Sequence, residues 1–344
     1  MSGLLEEAAR CADPALLGGK AARLAELANA GLPVPRFVVI PAPVAARIGG
    51  GPVDPALTAE IDGFLASATL ADRFAVRSSA VGEDAAEASH AGQFATVIGV
   101  ARSGVIEAVR QVLASAGRET AARYRERRGL GDGPIPMAVV IQVLVDARAA
   151  GVAFTADPVS GTRTQVVVAA LGLGAGVVDD RVPADTYRRR FGGLAWERTI
   201  AVKSERLVRS DDPGGIQVEP VPAQQAARPA LAPAELEELG EALDRIDDAA
   251  AGPQDVEWAV DHEGQLWILQ ARPATAVPEP PLEVWDDSNI GENYPGFTRP
   301  LTFSLVRRTY QRLFSRAMAE AGVPAGSIAG QHVALARLLG LVRG

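Results

Sequence analysis

The sequence predicts an α+β protein of two mixed lobes, a proline-rich linker and a short helical tail. Three observations carry this. Apolar residues at helical spacing recur in the first third and again at 236–246. Runs rich in β-branched residues dominate 137–171 and 254–272. Prolines then crowd 273–283, PATAVPEPPLE, as a stiff spacer before a tail that ends at Gly344. The expected division is 1–136 for the first lobe, 137–275 for the second, 276–284 for the linker and 285–344 for the start of a further domain.

Taken in order, GGKAARLAELANAG (18–31) reads as a helix with Leu24, Leu27 and Ala28 on one face, stopped by Gly31 and Pro33. Phe37–Ile40 is a short apolar strand, and two modest helices reach to about residue 68. Arg73–Arg77 is a strand followed by the polar loop SSAVGEDAAEASHAG. Phe94–Val100 is another strand, leading to helical segments over 103–128. MAVVIQVLV, GVAFTA and TQVVVAAL are strands separated by turn residues. The Pro-, Ala- and Gln-rich stretch 211–233 reads as a mobile excursion. Pro233 then opens a helix whose stripe is Leu236, Leu239, Leu243 and Ile246.

Composition narrows the function. A net charge of −8 argues against a nucleic-acid partner, which calls for a basic stripe. No run of about eighteen apolar residues is free of charge, so no membrane span is expected. The acidic start MSGLLEEAARCADP has no apolar signal core, which implies a cytoplasmic protein. One cysteine, Cys11, excludes an internal disulfide or thiolate cluster, and three histidines give little scope for histidine-rich metal chemistry. Lysine occurs only at Lys20 and Lys203 in an otherwise arginine-rich chain.

The segment QDVEWAVDHEGQLWILQAR suits a hairpin turning at Asp261–Gly264, with Val260 opposite Gln265, Trp258 opposite Trp267 and Asp255 opposite Gln270. Alternation then puts Asp255, Glu257, Gln270 and Arg272 on one face. Val256, Trp258, Val260, Trp267 and Leu269 fall on the other. Hard oxygen ligands beside an arginine suit magnesium and phosphate; a solvent-facing strand with ordinary charges fits the same pattern.

Gly18-Gly19-Lys20 is not a Walker loop, because Ala15 and Ala21 stand where a glycine and Ser/Thr are needed. It remains either an anion site at a helix start or a solvated lysine. Gly172, Gly174 and Gly176 lack the long following helix of a dinucleotide fold. Arg77 closes its strand where it can meet phosphate or pair with Glu83 or Asp84.

Five segments in order resemble the nucleotide-binding domain shared by phosphoenolpyruvate synthase, pyruvate phosphate dikinase and rifampicin phosphotransferase. They are GGKAARLAELANAGLPVP (18–35), FAVRSSAVGEDAAEASHAGQF (74–94), IQVLVDARAAGVAFTADPVSG (141–161), LGLGAGVVDDRVPAD (171–185) and QDVEWAVDHEGQLWILQARPAT (254–275). The resemblance implies an ATP-grasp-like fold in which the two lobes clamp ATP. It implies that Lys20 and Arg77 reach the phosphates and that Glu257 and Gln270 hold Mg2+, helped by Asp255. Arg272 would neutralise the transferred phosphoryl, while Gln142, Val143, Leu144 and Val145 would receive adenine. Ala175 stands where relatives carry an acidic residue, and His90 where an aromatic is common.

The family passes phosphate to a histidine in a glycine-rich stretch on a separate domain, and nothing here resembles that stretch. The tail 285–314 resembles the segment that follows the nucleotide domain in longer relatives, so a split or truncated arrangement with a phosphohistidine partner is expected. The resemblance therefore implies an ATP-dependent phosphotransferase module of the dikinase type. A non-turnover nucleotide-binding module and the ATP domain of a rifampicin-type antibiotic phosphotransferase are the alternatives.

Overall fold

The computed structural model describes residues 5–7, 13–49, 51–69, 71–81, 96–115, 136–178, 181–190, 193, 195–210, 215–250, 252–274, 277–278, 308–309, 312–313, 315–317 and 320. Readings that fall on 82–95, on 116–135, on most of the linker and tail, and on Cys11, His90 and His332 lie outside these residues.

A first sheet runs in the order β1 (Glu6–Glu7), β2 (Phe37–Ile40), β5 (Met137–Val143), β3 (Arg73–Ala80), β4 (Thr96–Ala101), all antiparallel. Its two faces are sorted by strand alternation. Ala138 and Val140 join Phe37 and Val39 under helix α1 (Pro14–Asn29), against Leu17, Ala21, Leu24 and Ala25. Val139 and Ile141 point the other way with Phe74 and Val76. There they meet α2 (Ala42–Ile48), α3 (Pro55–Ser67) and α4 (Val105–Ser115). α1 begins earlier than its apolar spacing suggests, because Asp13 caps it by accepting from the Ala15 amide at 2.9 Å.

The second sheet has the order β13 (Leu266–Pro273), β12 (Gln254–Asp261), β6 (Ala147–Phe154), β7 (Thr164–Leu171), β8 (Asp185–Arg190), β9 (Glu197–Thr199). One face is covered by the helix α7 (Pro233–Asp248), reached through the short helices α5 (Ala175–Val178) and α6 (Ala223–Ala226). Leu236, Leu239, Leu243 and Ile246 pack there on Val167, Tyr187, Val256, Trp258 and Val260, as the stripe anticipates. Leu27 and Leu32 enter the same core, so α1 lies against the first sheet at one end and roots in the second lobe at the other. The Ile268 amide donates to the Pro33 carbonyl at 2.7 Å and Arg245 donates to the Ala30 carbonyl, which fastens that end.

Two expectations need correcting. β5 opens the second lobe in the sequence reading, yet it lies between β2 and β3, and the chain crosses between sheets at 144–146. Pairing on both edges and near-complete burial hold it there. The stretch 211–233 is not an excursion over its described part. β11 (Ile216–Pro220) pairs with β10 (Glu205–Arg209), and Ala230 and Leu231 are buried in the core of the second lobe. The strands β8 to β11 carry no apolar pattern that marks them in the sequence, because DTYRRR and ERLVR are polar at most positions. The seam that holds β8 is made of charge. Asp185 and Lys203, both fully buried, pair at 2.6 Å, and Asp185 also accepts from the amides of Ala201 and Ala230 and the Tyr187 hydroxyl. Among the described residues, no helix is long and apolar enough to cross a membrane.

Candidate functional site

The face of the second sheet opposite α7 is partly covered by Leu173 and Leu207, and where it meets the first lobe the hairpin β12–β13 supplies the charged groups on it. Its register differs from simple alternation. Asp255 faces Arg272 and Glu257 faces Gln270, but Trp258 faces Ile268, so Leu269 has no cross-strand partner and forms a bulge. The loop is also longer than a tight turn. The Asp261 carboxylate accepts from the amides of Glu263 and Gln265 and from the Trp267 indole at 2.8 Å.

The bulge reverses the parity of β13 halfway along. Leu266 and Ile268 therefore enter the core with Val256, Trp258 and Val260. Trp267 and Leu269, expected on that core side, instead pack on the opposite face beside Ala259 and Val145. The four polar residues still share a face. Strict alternation reached that grouping through a register two residues away from the real one at Asp255.

Arg77, on β3 of the first lobe, reaches across to this group. Its Nη1 donates to Glu257 Oε2 at 3.1 Å and to Gln270 Oε1 at 3.2 Å. The alternative pairing with Glu83 or Asp84 lies outside the described residues. A carboxylate oxygen and an amide oxygen thus converge on one cationic nitrogen. Gln270 is nearly buried and Arg77 mostly so. Beside them Arg272 donates through Nε and Nη2 to Asp255 Oδ2 at 2.9 and 2.6 Å. Burial raises the Asp255 carboxyl above its ordinary value; Arg272 opposes that rise and the Glu257 charge adds to it.

Gly18 explains how Lys20 arrives nearby. Its φ of 71° and ψ of 167° break α1. A Cβ there would stand 2.2 Å from the Ser79 carbonyl oxygen, so only glycine lets the chain pass the end of β3 this closely. The helix restarts at once, and the Ala21 amide donates to Ser79 Oγ at 3.0 Å. Lys20 therefore sits in the first turn of a restarted helix, fastened to the strand that carries Arg77. Ser79 was not foreseen as part of this arrangement; a serine after the strand-closing arginine is too common a pattern to single out.

The segment 142–145 lies where the chain crosses between sheets. Gln142 shares a sheet face with Arg77, since Ala75 pairs with Gln142 and Arg77 with Val140. Gln142 is buried, and its Nε2 has no hydrogen-bond partner among the described residues; the same holds for Arg77 Nε and Ser78 Oγ. The amides of Val143 and Leu144 are committed to the carbonyls of Arg36 and Arg73 at 2.9 and 3.1 Å. Val145 is buried in an apolar cluster with Ala147, Ala150, Leu173, Leu207 and Ala259.

Among the described residues no three His, Cys, Asp or Glu side chains gather as a metal cage. The donor set is one carboxylate and one amide oxygen, which fits a hard ion that fills its other positions with water and phosphate.

Fold and site together define a two-lobed α/β protein whose lobes meet in an ion pair between Arg77 and Glu257. The family model for the pyruvate phosphate dikinase AMP/ATP-binding domain matches residues 51–285. The chain belongs to that family. It is 39% identical over 206 residues to a rifampicin phosphotransferase of Streptomyces sviceus, covering 59% of this chain and 23% of the relative. It is 32% identical over 310 residues to a probable phosphoenolpyruvate synthase of Methanothermobacter thermautotrophicus, covering 78% of this chain and 45% of that one. The prodigiosin synthesizing transferase PigC of Serratia marcescens is 34% identical over 293 residues, 78% of this chain and 32% of its own. The chain thus spans less than half the length of each of these relatives. Among solved structures, D-cycloserine synthetase DcsG aligns over 74% of this chain and 61% of its own, at 15% identity and a TM-score of 0.33.

Proposed function

We propose that the cleft is an ATP-grasp-like nucleotide site, and that the chain performs the ATP half-reaction of a dikinase-type phosphotransferase. The observation that carries this reading is the convergence of Glu257 and Gln270 from one lobe on Arg77 from the other, 3.1 and 3.2 Å away. In the nucleotide-bound form Glu257 and Gln270 hold Mg2+, whose contribution is charge neutralisation on the phosphate oxygens. Arg77, released from that pair, and Lys20 bind phosphate. Asp255 keeps Arg272 oriented, and Arg272 stabilises the charge on the group in transfer. Gln142 and the 143–145 segment receive the base; Gln142 Nε2, which has no hydrogen-bond partner among the described residues, supports that role.

Phosphoryl transfer is performed mainly by positioning and charge. Formation of AMP requires a histidine nitrogen to attack the β-phosphorus. The bond from that phosphorus to the α,β-bridging oxygen breaks, and AMP leaves with the oxygen and the electron pair. The β-phosphoryl, with its γ-phosphate still attached, passes to the histidine on a separate domain or partner chain. The same domain or chain brings the final acceptor.

Labelled ATP and magnesium are the test, with and without a phosphohistidine-domain partner, resolving AMP from ADP. AMP that depends on the partner supports the reading. Binding without AMP in its presence makes the chain a non-catalytic nucleotide-binding module. Absence of binding at millimolar ATP removes the nucleotide site altogether.

A further inference from the structure

Two of the contacts between the lobes are ion pairs made by arginines, Arg77 and Arg209. Arg77 spans the cleft at the phosphate end. Arg209 meets Asp72, five residues before Arg77 and just ahead of β3, about 17 Å away at strand spacing. Arg209 Nη1 lies 2.6 Å from Asp72 Oδ1, beside the start of β3, and Nη2 lies 2.9 Å from Asp146 Oδ2, in the crossing segment. Arg209 ends β10, whose hairpin with β11 has no part in the chemistry above.

That hairpin is rooted in the second lobe and lands on the first. The Leu173 amide donates to the Leu207 carbonyl at 2.7 Å, and Gly172 bridges to Leu207. Leu207 and Ile216 pack into the apolar cluster that contains Val145. Beyond it Gly215 touches Gly99 on β4. Both have positive φ, 68° and 77°, and a Cβ on Gly99 would stand 2.5 Å from the Gly215 carbonyl oxygen. Backbone meets backbone there with no room for a side chain.

We propose that the β10–β11 hairpin is the wall of the base end of the cleft, and that Arg209 is the positioning residue that clasps this wall to the crossing segment 143–146. The proposal rests on the reading of the cleft as a nucleotide site. It differs from a general interlobe brace in one respect. The phosphate end has its own link between the lobes, Arg77 on Glu257 and Gln270 in the ligand-free protein and, on the reading above, the Mg2+-bound phosphates in their place once bound, so loss of Arg209 weakens recognition of the base and leaves recognition of the phosphates intact.

The test is calorimetric titration of the full chain with Mg·ATP and, separately, with magnesium tripolyphosphate, which has no base. Arg209→Ala should bind ATP about five- to ten-fold more weakly, the effect of two partly exposed ion pairs, with tripolyphosphate affinity unchanged. Arg209→Lys should recover part of the loss. Asp146→Asn, a smaller change at the other side of the clasp, should move ATP affinity in the same direction. Equal loss for both ligands overturns the proposal in favour of general loosening. Unchanged ATP affinity in Arg209→Ala overturns it while leaving the nucleotide site standing. Failure of the unaltered chain to bind either ligand overturns both.

Discussion

Lys203→Met tests whether charge, rather than apolar contact, holds the far side of the second lobe. Lys203 and Asp185 are fully buried and 2.6 Å apart. Removing one member of such a pair strands the other charge in a low-dielectric interior, at a cost of about 3–5 kcal/mol. Asp185 keeps three donors, the Ala230 amide at 2.7 Å, the Ala201 amide at 2.9 Å and the Tyr187 hydroxyl at 3.1 Å. The loss therefore falls near the lower limit, about 3 kcal/mol. Urea denaturation followed by tryptophan fluorescence reads it, since Trp196 and Trp258 lie in this lobe's core. With a slope of about 3 kcal/mol/M, the midpoint drops by about 1 M. In Lys203→Met/Asp185→Asn neither charge is left, so the double variant should lose less than the two single losses added together, by at least about 1 kcal/mol. A single-variant loss below about 1 kcal/mol, or additive losses, would refute the argument that the pair acts as a unit.

Other outcomes follow from the same geometry. Arg272→Ala should lower AMP formation with the phosphohistidine partner by about a hundred-fold or more, with ATP affinity changed far less; unchanged turnover would mean that the hairpin face is not the reaction site. Gly18→Ala should cost more than about 2 kcal/mol in a thermal melt, because the positive φ and the Ser79 clash act together. Asp255 titrates above its unfolded value. Its contribution to stability is therefore complete below the unfolded value and is lost as pH rises through the folded one. Relative to Asp255→Asn, the unaltered chain should lose stability as pH climbs from about 4, as urea midpoints taken between acid and neutral pH would show.

What could be read in the sequence was what periodicity governs. α1, the helix at Pro233 and the strands β2, β5, β6 and β7 are strongly apolar or evenly striped, and all are present near where spacing puts them, α1 and β6 each starting four residues early. Gln270 shows the limit. Its face was assigned by alternation, but it reaches that face because Leu269 bulges, and a bulge leaves no mark in a run such as LWILQAR. Trp267 and Leu269 were misplaced for the same reason. Arg209 was illegible for another. Its partners Asp72 and Asp146 lie far from it in sequence, and nothing local distinguishes this arginine from the many others in the chain. The rarity of lysine did mark Lys203, but only as composition; its buried partner became visible once the fold had closed around it.

Arg77 connects the fold to the proposed chemistry. Its Nη1 sits between the two oxygens that, on this reading, belong to the metal. An ion held by both oxygens would take the place between them that this nitrogen occupies, beside a like charge. On this reading Arg77 would leave Glu257 and Gln270 to the ion, and the accompanying phosphates would give the guanidinium its next partner. In the ligand-free protein Arg77 keeps the partly buried Glu257 carboxylate paired. Arg77→Met should therefore weaken Mg·ATP, through the lost phosphate contact, while magnesium alone binds more tightly to the freed Glu257 and Gln270. The same titrations read both, and a parallel fall in the two affinities would show that the arginine and the ion do not exchange places.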